Sequence, residues 1–324
     1  MVTIQNTINS STPGLDLYNA MATAMGTIGA SLVDTQVIST RTHKVWKFPA
    51  AINAAAKDWY LDITYVTGGG GNLTMLPMEF YDPATHLAYR MPISTSVTTV
   101  DSATSSITGS TGGTLESAQS GMTAANVAAS RAGVLDLTTS SFGYWIDITG
   151  DRIAAISSNR AANILYVGMY SPTSAYAAKA GAALFPLIVA QMYGSGSPAG
   201  GPSSAPGSAN LAITRMPPAT VSTQLPGNNW FTGPSWQPVA PMAGAVPRIP
   251  GGATTYTDLG VVPLGLYSST SDNTGGMGTF GTFIGVAACP CDSSVTVGST
   301  VTIAGVDWIL TTQNSNGALL FKTS

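Results

Sequence analysis

The sequence predicts a mainly β protein with a short N-terminal helix, built as two β-rich, sandwich-like or barrel-like domains. Three observations carry this. Short runs of alternating apolar and polar residues recur in both halves of the chain, and that is the period of a half-buried strand. One early segment has clear helical spacing. Between the β-rich parts lies 194–209 (GSGSPAGGPSSAPGSA), where Gly and Ser leave the backbone free and prolines cannot donate to a ladder. The expected organisation is therefore 1–193 as helix plus antiparallel β domain, 194–209 as linker, and 210–324 as a Pro-rich wrap followed by a C-terminal β domain.

The helix is expected over 15–33, where Leu17, Met21, Met25 and Ile28 recur three and four apart behind Pro13-Gly14. Lys44 to Pro49 and Trp59 to Thr67 then alternate as strands, the second running into the glycines Gly68 to Gly71. Met75 to Tyr81 is the expected return strand, Asp82-Pro83-Ala84-Thr85 a turn, and Leu87 to Met91 a further strand. Residues 94–133 are rich in Ser, Thr, Ala and Gly. They offer little to bury and read as a long surface excursion, with a short helix near Ala124 to Arg131. Order resumes at Val134 to Leu137. Phe142 to Thr149, Arg152 to Ser157 and Asn163 to Tyr170 then follow at the short spacing of an antiparallel sheet. Trp59-Tyr60-Leu61-Asp62-Ile63-Thr64 is echoed by Tyr144-Trp145-Ile146-Asp147-Ile148-Thr149, which reads as two similar strands of one sheet. Residues 210–260 are Pro-rich and carry Trp230 and Trp236. The chain closes with strands at Phe283 to Ala288, Ser299 to Ile303, Val306 to Thr311 and Ala318 to Lys322, with Ala304-Gly305 as a tight turn.

Composition narrows the function. The 324 residues hold 12 basic and 15 acidic side chains, only 8% charged against about 25% in ordinary globular chains. Twelve scattered cations give no stripe for nucleic acid, so none is expected as a partner. The longest apolar stretch, Ala177 to Tyr193, is broken by Lys179 and Pro186 and falls short of the roughly 18 residues of a membrane span. The start of the chain lacks the basic and apolar regions of a signal peptide, so synthesis in the cytosol and no membrane partner are expected. A surface poor in charge has little repulsion to keep copies apart, which points to a subunit of a permanent assembly. An ordinary Ser/Thr-rich extracellular β protein is the alternative.

No catalytic, cofactor-binding or metal-ligating residue is expected. Cys289-Pro290-Cys291 has the wrong spacing for a zinc pair and no nearby histidine, so both thiols read as inert or structural. His43 and His86 read as surface residues, and no Gly-x-Ser-x-Gly elbow accompanies them. Gly276 to Gly281 matches Gly-x-Gly-x-x-Gly, but a strand rather than a helix follows, so a dinucleotide site is excluded. Asp62, Glu79, Asp82 and Asp147 could converge as glycosidase carboxylates. The matching places of Asp62 and Asp147 favour solvent-facing or hydrogen-bonding roles instead.

Several runs in this order resemble virion structural proteins of tailed bacteriophages, in the neck and tail group. They are the Leu15 to Leu32 helix, Lys44-Val45-Trp46-Lys47-Phe48-Pro49, Gly143-Tyr144-Trp145-Ile146 with Asp151-Arg152-Ile153, Tyr166 to Pro172, and Ala183 to Val189. The closing Val301 to Trp308 also resembles the short C-terminal hairpin frequent in such proteins. The resemblance implies a structural subunit, not an enzyme, of the neck, collar or tail. It implies a homo-oligomeric ring that contacts other virion proteins and assembles in the bacterial cytoplasm. A fibre or head-decoration protein is the first alternative and a glycan-cleaving tail spike the second, although no β-helix repeat supports the spike. Limited proteolysis is expected to cut first within 194–209 or 94–133; preferential cutting inside 134–170 contradicts the proposed organisation.

Overall fold

The computed structural model describes residues 2–8, 11–38, 40–68, 73–89, 93–94, 113–114, 133–135, 142–157, 163–174, 177, 186–192, 210–213, 255–256, 261–267, 279–289, 298–314 and 317–323. The expected linker 194–209, almost all of the excursion 94–133 with its short helix, and most of the wrap 210–260 lie outside these residues. Among the described residues the protein is mainly β, with one α-helix near its N-terminus. Among the described residues no helix is long and apolar enough to cross a membrane.

The helix α1 (Pro13–Thr27) opens on a proline whose fixed φ suits the first turn, with Asp16 near the positive end of the helix dipole. It is shorter than expected. Gly29, at φ +92°, takes the left-handed turn that ends it, and the N–H of Ala30 closes back on the Met25 carbonyl (3.0 Å). Ser31–Ile38 then extends as β2, so the last residues of the expected helix are strand. Leu17, Met21 and Met25 are fully buried, as their spacing predicts.

Two sheets enclose this helix face. The smaller, five-stranded sheet runs β10 (Gly133–Leu135), β5 (Leu73–Met78), β4 (Trp59–Val66), β3 (Arg41–Phe48), β2. The larger contains β1 (Val2–Ile8), β11 (Phe142–Ile148), β12 (Arg152–Ser157) and β13 (Asn163–Pro172) as antiparallel neighbours, continued by β14 (Leu187–Met192), β15 (Asn210–Ile213) and β8 (Ile93–Ser94). β1 and β14 have no counterpart in the sequence expectation. One apolar core joins the layers in a sandwich-like arrangement. Trp59, Leu61, Ile63 and Tyr65 of β4 face Tyr144, Ile146 and Ile148 of β11, with Leu17, Met21 and Met25 of α1 in the same cluster. The echoed runs therefore lie in different sheets, not in one, on opposite sides of a shared core.

Period-two alternation leaves each sheet a second face. That of the five-stranded sheet is covered by the small sheet of β6 (Phe80–Asp82), β7 (Leu87–Tyr89) and β9 (Gly113–Thr114). Tyr81 is buried there, and Tyr60 meets Phe80 edge-on at 6.0 Å. That of the larger sheet is covered by C-terminal strands, β18 (Thr279–Cys289) and β21 (Gly317–Lys322). Phe283 packs edge-on to Tyr166 (4.9 Å), and Phe321 packs against Trp145 (5.7 Å). The end of β13 also pairs with β18, Tyr170 opposite Phe283. β16 (Thr255–Tyr256) lies parallel to β19 (Thr300–Ile303) and β17 (Val262–Tyr267) antiparallel to β18, while β19, β20 (Val306–Asn314) and β21 enclose a second core of Val301, Ile303, Trp308, Leu310 and Leu320. Ala304 and Gly305 both have positive φ, the primed hairpin turn expected between β19 and β20.

The two sheets are pinned where the β3–β4 connection meets the β11–β12 turn. The buried Trp59 indole donates to the Gly150 carbonyl at 2.9 Å and stacks on Phe48 at 4.1 Å. The Ala54 N–H donates to Asp151 (2.7 Å). A Cβ on Gly150 would lie 1.7 Å from the Ile52 carbonyl oxygen, so only glycine allows this approach. Gly150→Ala is expected to destabilise the protein by about 3 kcal/mol or more, as backbone overpacking does. Gly26→Ala, in an open helical position, should stabilise by about 0.5–1 kcal/mol. Denaturant titrations of both variants check the pair.

Candidate functional site

Both histidines and three of the aspartates meet in three polar clusters, one at a rim and two inside. On the second face of the five-stranded sheet, register places His43 opposite Thr64 and Val45 opposite Asp62. His43 Nδ1 lies 2.8 Å from Asp62 Oδ2 and 2.9 Å from Thr64 Oγ1, and the Thr64 hydroxyl donates to the same Asp62 oxygen at 3.0 Å. All three residues are buried. His43 is therefore a core residue, contrary to the surface position expected of it. The charged neighbours Arg41 and Lys44 are misleading, because Lys44 projects to the other face of the strand. Burial pushes the Asp62 carboxyl up against the opposing pull of His43.

At the rim of this face, Asp34 of β2 accepts hydrogen bonds from the Tyr81 hydroxyl, from Gln36 (2.9 Å) and from His86 Nδ1 (2.8 Å). His86 is exposed, as expected, and its backbone sits at φ +56° in the turn before β7. Burial raises the Asp34 carboxyl, but the donors Tyr81, Gln36, His86 and the Thr35 N–H together hold it below its usual range. Burial and the Asp34 charge push the Tyr81 hydroxyl far up, so it remains a donor.

The third cluster lies between the larger sheet and its C-terminal cover. Asp147 and Arg152, both buried, form a close ion pair of 2.7 Å that is not aligned as a hydrogen bond. Thr3 donates to Asp147 (3.2 Å), and Arg152 Nη2 donates to the Lys322 carbonyl (3.2 Å). Gly285, at φ +67°, lets β18 pass over the guanidinium; a Cβ there would lie 2.6 Å from Nη2. Burial raises the Asp147 carboxyl, and Arg152 opposes it.

This geometry limits the chemistry. A nucleophile–histidine–carboxylate relay needs the two imidazole nitrogens to serve different partners. Here Thr64 and Asp62 share the one nitrogen His43 Nδ1, so these three side chains form a triangle and Thr64 is not the nucleophile of such a relay. The four carboxylates that could have converged do not. Asp62 and Asp147 sit on outward faces of different sheets, Glu79 is buried at the end of β5, and Asp82 caps its own turn through Ala84 N–H (3.0 Å) and Thr85 (2.7 Å). Of the cysteine pair, Cys289 ends β18, and Pro290 and Cys291 lie outside the described residues. Gly281 and the residues after it are strand, so the Gly-x-Gly-x-x-Gly match does not open a helix. Among the described residues no three His, Cys, Asp or Glu side chains are grouped to hold a metal. No family model matches the chain, and no curated protein matches it.

The carboxylates have opposite pH signatures. Asp34, depressed on folding, contributes stability that is complete above the ordinary aspartate value of about 3.9 and lost as pH falls through its lower native value. Asp34→Asn should lower stability at neutral pH and flatten the acid limb. Asp62, raised on folding, costs stability as pH rises from about 3.9 toward its native value, and Asp62→Asn should flatten that part of the profile. Asp147→Ala leaves Arg152 buried without its countercharge and should cost about 3–5 kcal/mol. Denaturation across pH 2 to 8 reads all three.

Proposed function

We propose that this chain is a structural subunit of a tailed-phage virion, at the neck, collar or tail, that assembles with copies of itself and with other virion proteins. The observation that carries the reading is the charge content, 27 charged side chains (12 basic, 15 acidic) in 324 residues. A chain that works alone in solution needs more repulsion between copies than this provides. The burial pattern supports the same reading, since two of the three polar clusters are sealed between layers, away from bulk solvent. No catalysis, cofactor or nucleic-acid binding belongs to the proposal. A fibre or head-decoration subunit is the second reading, favoured by the hydroxyl-rich stretch 94–133, which would then face outward.

Segments 94–133 and 210–260 are too poor in packing material or too rich in proline to form a core alone. Contacts that order them must offset about 1–2 kcal/mol of backbone entropy per residue. Native mass spectrometry of the purified protein and hydrogen exchange in particles test the proposal together. The expected result is a homo-oligomer, stoichiometric in virions, whose two segments exchange fast in the free subunit and slowly in the particle. A protein absent from particles, or a stable monomer with both segments already protected, overturns it.

A further inference from the structure

β2 is the outermost strand of its sheet, and among the described residues no strand pairs with its free side. Two of the large apolar side chains that the described surface exposes lie on it, Leu32 at 45% and Val37 at 63%. Edge strands are usually guarded by lysine or proline, and Ser31–Ile38 has neither. Its one charge, Asp34, is held by Tyr81, Gln36 and His86. The Thr35 N–H donates to Asp34 Oδ1 (2.7 Å), a local bond that the carbonyl of a neighbouring strand can replace.

The register with β3 fixes which side chains share a face. Leu32 stands opposite Trp46 and Val37 opposite Thr42, and those β3 positions are on one face; Asp34 and Gln36, opposite Val45 and His43, are on the other. A bulge at Val33 makes this possible, since without it Leu32 and Val37 would point apart.

We propose that β2 pairs antiparallel with β2 of a second copy, across a two-fold axis at Thr35. The strand is self-complementary in that register. Thr35 meets Thr35, Gln36 meets Asp34, and, past the bulge, Val37 meets Leu32. The two exposed apolar residues cover each other twice, both members of every pair lie on one face, and no like charges stand opposite within the paired strands, the nearest being the ammonium that each copy's Lys44 sets on its own Thr35 hydroxyl (3.2 Å). Continuing a sheet through main-chain hydrogen bonds is an established mode of association. The inference does not rest on the virion reading. A two-fold contact closes at two copies, so a ring needs a second, different contact.

Sedimentation velocity over a concentration series, with two variants of the full chain, tests it. Thr35→Lys sets two ammonium groups against each other at the axis and should weaken the dimer at least tenfold. Thr35→Cys should form a disulfide-linked dimer on mild oxidation, while Thr23→Cys, exposed on α1, should not. A wild-type monomer at all concentrations overturns the proposal, as does a dimer indifferent to Thr35→Lys with no cross-link at 35. Circular dichroism checks that Thr35→Lys folds; if it does not, or if the two variants disagree, the cross-link decides, its presence supporting and its absence overturning the proposal.

Discussion

The close approach of Gly150 to Ile52, sealed by the Trp59 indole on the Gly150 carbonyl, sets the separation of the two main sheets. Everything packed between them depends on that distance. Trp59, Leu61 and Ile63 reach Ile146 and Ile148 only if the β3–β4 connection and the β11–β12 turn stay in contact. The helix then fills the remaining space with Leu17, Met21 and Met25. The bond is to a backbone carbonyl, so it fixes position without asking anything of the side chain in the turn. The missing Cβ does the rest.

With the sheets joined through their inner faces, their outer faces carry the polar chemistry. Each buries one aspartate beside one basic partner, Asp62 with His43 and Asp147 with Arg152. Burying such pairs costs desolvation that their attraction returns only in part, so they are poor sources of stability. They do select an arrangement. A covering layer that slid by one residue would part the buried Arg152 guanidinium from the Lys322 carbonyl, or Asp34 from Tyr81 and His86, which costs more than a shifted apolar contact. The small sheet over Asp62 and the C-terminal strands over Asp147 are held in register this way, Gly285 by making room for Arg152 and Tyr81 by reaching Asp34.

Much of this was legible in the sequence. Alternation located β4, β11, β12, β13 and β18 to β21 within a few residues, because half-buried strands write their burial directly into the pattern. The helix face was equally plain, but its end was not. Ser31 to Val33 continue a helical spacing by chance, and only the left-handed backbone at Gly29 breaks it. β1 has ordinary strand composition but borrows its burial from α1 and β11, so it carries little signal of its own. The echo of Trp59–Thr64 in Tyr144–Thr149 held the most information. Its shared aspartate marks the outer face of each sheet, although sequence could not say that a further layer would cover both. His43 was hidden for the same reason, since its burial comes from strands distant along the chain.

Two sheets that share one core, pinned at Gly150, form one cooperative unit. Native-state hydrogen exchange in increasing denaturant tests this most directly. Amides of β4 and β11, on opposite sides of the core, should converge on a single opening free energy and a single denaturant dependence. If β3, β4 and β5 open together at a clearly lower free energy while β11 to β13 stay protected, the two sheets are separate units and the shared core does not bind them into one.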